Sequence, residues 1–443
     1  VSATVGAPQR DAPGRPPRAP NRPPPNRIVH FLRNLGPGLI TGAADDDPSG
    51  ISTYSVAGAT TGLSMLWLAL ITTPMMAVMQ GMCARIGMVT GVGLAAVMRK
   101  LFPAWLAFAL AALVIVANTF NIGADLAGMS ASAHMVAGLP VLMWVIAFAV
   151  VLLLTEFYCS YHLLSSVLKW LALALFAYVI TAFFVRPDWL DIVRHAVIPE
   201  FHRDGHWITT LVALLGTTIS PYLFFWQSSQ MVEEEKDKGR KSIAERKGAT
   251  KAEIADAHAD VNTGMLYSNL VMFFIIATTA VTLGAHGKHD IATAQDAAEA
   301  LRPLAGNFAY LLFTLGMVGT GLLAIPVLAG SSAYVASEMM SFRTGLGETP
   351  KRAPRFYAIL AAGIVIGTIL NVLHLDPIKV LFWSAVINGV AAVPIVFAIV
   401  SIASNAKVMG RWKSSLAART WGWITFTVMT AAAAAMFIFW NQQ

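Results

Sequence analysis

Long apolar runs recur from Leu35 to Trp440, separated by short stretches in which Lys, Arg, Asp, Gly and Pro concentrate. Several runs approach the roughly 20 residues that a helix needs to cross the hydrocarbon core of a bilayer. They are apolar on every face, which excludes the short alternating segments of a membrane β-barrel. Eleven spans are predicted, at about 36–62, 63–84, 103–136, 139–157, 160–185, 207–233, 262–286, 308–338, 354–373, 377–401 and 416–439. The fold class that follows is an all-α membrane protein.

Two spans are interrupted. In span 1, Gly42-Ala43-Ala44-Asp45-Asp46-Asp47-Pro48-Ser49-Gly50 places three acids where charge is costly and normally lines a cavity or a functional site. Pro48 disfavours helical geometry at Asp47 and removes an amide donor, so the helix should unwind there. In span 6, Gly216-Thr217-Thr218-Ile219-Ser220-Pro221-Tyr222 combines a proline with small and hydroxylated residues, which leaves backbone carbonyls available to a ligand. Span 6 is the fifth span after span 1. Matched breaks in the two halves are the mark of a transporter with inverted repeats and a site near the midplane. The predicted organisation is repeat one at about 36–185, repeat two at about 207–401 and an added helix at 416–439, together forming a transporter domain over 35–443.

Composition agrees. Hydrophobic residues make up 56% of the chain and charged residues 12%, against about 25% charged in a soluble domain. The net charge of +7 comes from basic residues grouped after span 2 (Arg85, Arg99, Lys100), span 6 (Lys236, Lys238, Arg240, Lys241, Arg246, Lys247, Lys251), span 8 (Arg343, Lys351, Arg352, Arg355) and span 10 (Lys407, Arg411, Lys413). All fall on one side when the N-terminus is cytoplasmic, as the positive-inside rule expects. The charge therefore sets topology, and no nucleic-acid partner is predicted. Residues 1–34, rich in Pro and Arg, read as a disordered cytoplasmic tail without a cleavable signal pattern. Cys83 and Cys159 have no metal or disulfide spacing. The chain lacks Gly-x-Ser-x-Gly, His-Glu-x-x-His and phosphate-cradling motifs, so no enzyme is predicted.

These residues resemble the NRAMP family of proton-coupled metal importers. Gly36-Pro37-Gly38 opens span 1 as in that family, and Asp47-Pro48-Ser49-Gly50 stands at its Asp-Pro-Gly-Asn motif. Met79-Gln80-Gly81-Met82-Cys83-Ala84-Arg85-Ile86-Gly87-Met88-Val89-Thr90-Gly91 is similar to its segment ending span 2, and Ser220-Pro221-Tyr222 falls at its Met-Pro-His motif. The resemblance implies a fold like that of the leucine transporter, alternating access, a monomer in the bacterial inner membrane, and inward cotransport of metal and protons. It implies that Asp47 binds metal with the Ala44 carbonyl. It also implies that Asp125, in Gly123-Ala124-Asp125-Leu126-Ala127-Gly128, stands where a span 3 glutamate serves the proton path.

The departures redirect the substrate. Ser220 replaces a thioether and Gly50 replaces a carboxamide, while Tyr222 and Gln227, at two histidine positions, offer neutral hydrogen-bonding groups to hold a ligand's oxygens. Oxygen donors suit hard ions such as magnesium, calcium and manganese, and by extension ferric iron. Both replacements remove volume, so a wider cavity is expected, taking an ion that keeps part of its water or arrives as an organic-acid chelate such as ferric citrate. Asp45 and Asp46 are expected to support Asp47 electrostatically, Ser49 and Gly50 to line the site, and Ser220 and Tyr222 to form the opposite wall. With no histidine, proton coupling would rest on carboxylates: adjacent like charges oppose full ionisation, which makes Asp46 a candidate acceptor beside Asp125. The metal is the substrate, and no resident cofactor is predicted. Asn118, Asn121, Glu156 and Asn388 either line vestibules or bond between helices, His162 and Lys169 offer an anion handle, and Ser331 and Ser332 allow close packing. The alternatives within transport are an organic carboxylate or amino acid carrier and a passive cation channel.

Overall fold

Pro48 and Pro221 each open a helix in its first turn, and each is preceded by two residues that leave the helical path in the same way. Asp46 (φ −86°, ψ 50°) and Asp47 (φ −69°, ψ 171°) precede Pro48, and Ile219 (φ −111°, ψ 54°) and Ser220 (φ −74°, ψ 127°) precede Pro221. A proline ring cannot follow an α-conformer without a clash, so the residue before it goes extended in both places. Span 1 is thereby split into α1 (Pro37–Asp45) and α2 (Pro48–Thr61), as the acidic break predicts.

The computed structural model describes residues 36–158, 175–288, 291, 293–373 and 376–439. The tail over 1–34, most of span 5, and Cys159, His162 and Lys169 lie outside the described residues. The chain continues through α3 (Trp67–Thr90), α4 (Leu94–Leu101), α5 (Ala104–Ala137), α6 (Val141–Tyr158), α7 (Phe176–Val185), α8 (Trp189–Val197) and the halves of span 6, α9 (Gly205–Thr218) and α10 (Pro221–Asp237). Then follow α11 (Lys251–Thr282), α12 (Ala309–Met340), α13 (Pro354–Leu370), α14 (Pro377–Ser404) and α15 (Leu416–Ile438). Among the described residues nine segments are long and apolar enough to cross a membrane. The broken first span and the shorter α7 bring the total to the eleven predicted.

Helix edges depart from the apolar runs where capping chemistry extends a helix. Span 7 begins at Lys251 rather than 262, because Thr250 and Glu253 form a capping box that starts the helix outside the apolar run. Lys251 thus belongs to a helix, as does Lys236 at the end of α10. Arg85 lies inside α3, not after it, and its Nη2 is 2.7 Å from His258 Nε2 on α11.

Helix α6 shows how the bilayer sorts side chains. Val145, Ala149, Leu152 and Glu156 are buried at spacings of four, three and four, while Ile146, Val150 and Leu154 on the other face are about half exposed. Apolar exposure of that kind belongs against lipid. Helix association in lipid relies on close packing of small residues rather than on hydrophobic burial. Accordingly a Cβ on Gly216 would stand 2.0 Å from the Ala385 carbonyl oxygen, and one on Gly264 would stand 2.0 Å from the Gly38 oxygen.

Three connections meet at one end of the bundle. Arg99 Nη1 donates to Met339 O at 2.8 Å and also bonds Ser341, Arg246 Nε donates to Gly91 O at 3.2 Å, and Lys236 Nζ donates to Thr344 O at 3.0 Å. The basic groups after spans 2, 6 and 8 therefore share a side.

At this end α1 starts against α11. Asp260 accepts from the amides of Gly36 (2.9 Å), Gly38 (2.6 Å) and Leu39 (3.2 Å), so one carboxylate from another helix caps α1. These are amides a helix start cannot bond internally. Asp260→Ala is expected to cost about 1–3 kcal/mol, the usual cost of stranding buried polar partners. It should also speed hydrogen exchange in the peptide covering 36–45; unchanged protection there would show that the cap contributes nothing to holding α1.

Candidate functional site

The start of α10 meets both halves of span 1 through Tyr222. Its hydroxyl donates to the carbonyl oxygen of Ala44 at 2.8 Å and to Asp47 Oδ2 at 3.3 Å, joining the first turn of α10 to both sides of the span 1 break. Tyr222 is fully buried, and its own carbonyl is held by Ser331 Oγ at 2.9 Å. Ser331 thus bonds the break as well as allowing close packing.

The two oxygens of Asp47 have different duties. Oδ1 accepts the Gly50 amide at 2.7 Å and caps α2. Oδ2 accepts from Tyr222 at 3.3 Å and from Asn121 Nδ2 at 3.4 Å, both longer than usual hydrogen bonds. An oxygen so loosely held is available to a cation. Asp125 lies next to this group: its Oδ1 accepts the Ser49 amide at 3.2 Å, and its Oδ2 has no hydrogen-bond partner among the described residues.

Asp45 and Asp46 point elsewhere. Both reach Ser268 Oγ on α11, Asp45 Oδ2 at 2.6 Å and Asp46 Oδ1 at 3.3 Å, and each keeps one buried oxygen without a partner among the described residues. The acidic triplet therefore divides between two neighbouring environments instead of forming one three-carboxylate cage. Among the described residues no three His, Cys, Asp or Glu side chains converge to hold a metal ion. Nor does any described Lys, Arg or His pair with Asp45, Asp46, Asp47 or Asp125. Uncompensated carboxylates this deep are expensive, so the site demands cations or protons.

Three other predicted positions are occupied differently from the sequence expectation. The Ser220 hydroxyl turns back on its own chain, to Gly216 O at 2.9 Å and Thr217 O at 2.7 Å, rather than toward Asp47. An unpaired hydroxyl in a dry helix break takes the nearest free carbonyls. Ser49 Oγ faces α14, bonding Leu381 O at 2.9 Å with Ser384 Oγ at 3.0 Å. Gln227 Oε1 accepts from Thr41 Oγ1 at 2.7 Å and ties α10 to α1. The widening expected at Gly50 is also missing: a Cβ there would meet the Asp45 carbonyl at 3.2 Å and the Tyr54 ring at 3.5 Å, so neighbours fill the volume.

Residues 38–439 match the family described as natural resistance-associated macrophage protein-like, Nramp. The chain belongs to the Nramp family. Among curated relatives of this Nramp protein, the divalent metal cation transporter MntH of Erwinia tasmaniensis is 26% identical over 416 residues, covering 92% of this chain and 94% of that one. MntH of Yersinia pestis is 27% identical over 299 residues, 66% of this chain and 69% of that one. Among solved structures, the Eremococcus coleocola manganese transporter superposes with a TM-score of 0.72 at 17% identity, covering 97% of this chain and 90% of the other. Mhp1, a nucleobase-cation-symport-1 family transporter, gives 0.54 at 11% identity, covering 91% and 92%. At these identities the structures establish the fold alone. It is a leucine-transporter-like five-plus-five inverted repeat with spans 1 and 6 broken.

Within this Nramp protein Ser268, Asp260 and Ser384 went unnoticed in the sequence. Each sits on a long helix with other polar residues, and the partner that gives it meaning lies more than 200 residues away in the chain or, for Ser384, 335 away. Asn118 bonds Leu328 O and Ser332 Oγ at 3.3 and 3.0 Å, the interhelical alternative among its two readings.

Proposed function

We propose that this protein imports a hard multivalent cation by alternating access, with Asp47 as the central ligand and the Ala44 carbonyl and Tyr222 hydroxyl as its oxygen neighbours. The observation that carries the reading is the convergence of these oxygens, from both broken spans, at 2.8 and 3.3 Å around Tyr222 Oη. A donor set of these oxygens favours magnesium or manganese with part of the water shell retained, since magnesium sheds water reluctantly. The MntH relatives, named divalent metal cation transporters, support the substrate class. Iron, free or as a ferric-citrate chelate, is the competing cargo.

Proton coupling, in this reading, runs through Asp125 beside Asp47 and through Asp46, with Asp45 and Ser268 adjoining. The protein sits as a monomer in the bacterial inner membrane with its N-terminus cytoplasmic, because the basic ends of spans 2, 6 and 8 gather on one side. Residues 35–443 form the transporter domain.

Proteoliposome uptake of manganese, magnesium, ferrous iron and ferric citrate, with and without an inward proton gradient, tests this. Expected is accumulation of magnesium and manganese above their external level only with the gradient; accumulation of ferric citrate alone would replace the substrate. Ser220→Met should shift preference toward softer ions, because a longer side chain cannot fold back onto Gly216 and carries sulfur to the break. An ion profile identical to wild type would remove Ser220 from the site.

A further inference from the structure

Asn121 lies on α5, a turn before Asp125, and is 1% exposed. Its carboxamide nitrogen is 3.4 Å from Asp47 Oδ2, while its oxygen Oδ1 is buried and has no hydrogen-bond partner among the described residues. A buried amide oxygen left unpaired is costly, so a water or ligand entering the site beside Asp47 would gain by pairing with it. The carboxamide cannot be turned around to hide it, because that would bring its oxygen against the Asp47 carboxylate. Resting on the cation reading above, we propose that Asn121 Oδ1 accepts a hydrogen bond from a water molecule on the transported ion, making Asn121 a residue that selects partly hydrated cations.

The distances leave room for a bound water. Nitrogen and oxygen of one carboxamide are about 2.2 Å apart by bond geometry. Oδ1 therefore lies no more than about 5.6 Å from Asp47 Oδ2, given the 3.4 Å contact. On an octahedral ion with ligands at about 2.1 Å, a water beside the carboxylate oxygen is about 3 Å from it. A hydrogen bond from that water reaches about 2.7 Å further, so the chain carboxylate–water–carboxamide covers the whole of that range. The Nδ2 contact turns the nitrogen, not the oxygen, toward Asp47, which favours the water over direct ligation.

The same placement accounts for Gly50. The family motif carries a carboxamide at that position, yet here a Cβ would press on the Asp45 carbonyl at 3.2 Å and approach the Tyr54 ring at 3.5 Å. Asn121 brings a carboxamide to Asp47 from another helix instead.

The test is uptake of magnesium and of manganese in proteoliposomes by wild type, Asn121→Leu and Asn121→Thr, with Asp47→Ala alongside. Leu has about the size of Asn without an acceptor, and Thr keeps a neutral oxygen without adding charge beside Asp47. Expected in Asn121→Leu is a KM for magnesium, which sheds its water reluctantly, raised about tenfold with Vmax nearly unchanged, and a smaller rise for manganese. Asn121→Thr should return the magnesium KM toward wild type. An unaltered magnesium KM in Asn121→Leu overturns the proposal. So does an equal rise for both ions, since only the bond to Asp47 would then matter. If Asn121→Leu fails to fold, judged by gel filtration, Asn121→Ala takes its place: a larger rise for magnesium than for manganese supports the acceptor role, and an equal rise or none overturns it. Asp47→Ala separates the two readings, because wild-type uptake there removes the cation site itself, whereas its loss beside a normal Asn121→Leu removes only the role of Asn121.

Discussion

Asp47→Ala abolishes metal uptake, and Asp47→Asn reduces it at least about a hundredfold, the upper range for changes around a metal. The pair separates two duties of one side chain. Asp47 Oδ1 caps α2 through the Gly50 amide at 2.7 Å, and losing a cap costs about 1 kcal/mol, too little to unfold the protein. Asparagine caps nearly as well as aspartate, so Asp47→Asn keeps the helix start and removes only the charge. Uptake of manganese or magnesium into proteoliposomes, measured beside the thermal stability of each purified variant, decides the matter. Both variants should remain folded, and Asp47→Asn should match wild type in stability. A transporting Asp47→Asn would mean that the cap, not the carboxylate charge, is what the cycle requires.

Gly264→Val prevents the bundle from closing, with an expected loss of about 3 kcal/mol or more, the upper range for overpacking. A Cβ at Gly264 would lie 2.0 Å from the Gly38 carbonyl oxygen, and one at Gly42 would lie 2.2 Å from the Gly264 oxygen. The obstacles are backbone atoms on two helices, which cannot rotate away as a side chain would. Relief requires α1 to separate from α11, and that breaks the Asp260 bonds to Gly36, Gly38 and Leu39 and the Asp45–Ser268 bond together. Gly363→Ala is the control, because the nearest atom to its new Cβ is Ile122 Cδ1 at an ordinary 3.5 Å. Thermal unfolding in detergent should place Gly363→Ala with wild type and Gly264→Val far below. Equal melting temperatures would mean that α1 and α11 do not touch through these glycines.

Much of the architecture was legible along the chain because the bilayer acts on local properties. Span length, all-round apolarity and the side taken by basic residues need no knowledge of neighbours, and the eleven spans follow from them. The breaks were legible for a similar reason. Pro48 and Pro221 restrict the residue before them by covalent geometry, whatever packs around. The exceptions at this level were the start of α11, where a capping box extended a helix beyond its apolar run, and Arg85, which α3 carries inside rather than past its end.

The arrangement around Asp47 depended on the third dimension. Sequence chemistry names Asp45, Asp46 and Asp47 as one cluster, but the helical turn ending at Asp45 and the extended Asp47 send them to different partners, Ser268 for the first two and Tyr222 with Asn121 for the third. Ser220 and Ser49 satisfy carbonyls near at hand, because a hydroxyl in a dry interior bonds whatever acceptor folding leaves closest. By itself the chain determined that it spans a membrane and where its helices break. Tertiary structure alone decided which oxygens face one another, since a hydrogen bond depends on distances and angles set by helices that are hundreds of residues apart in the chain.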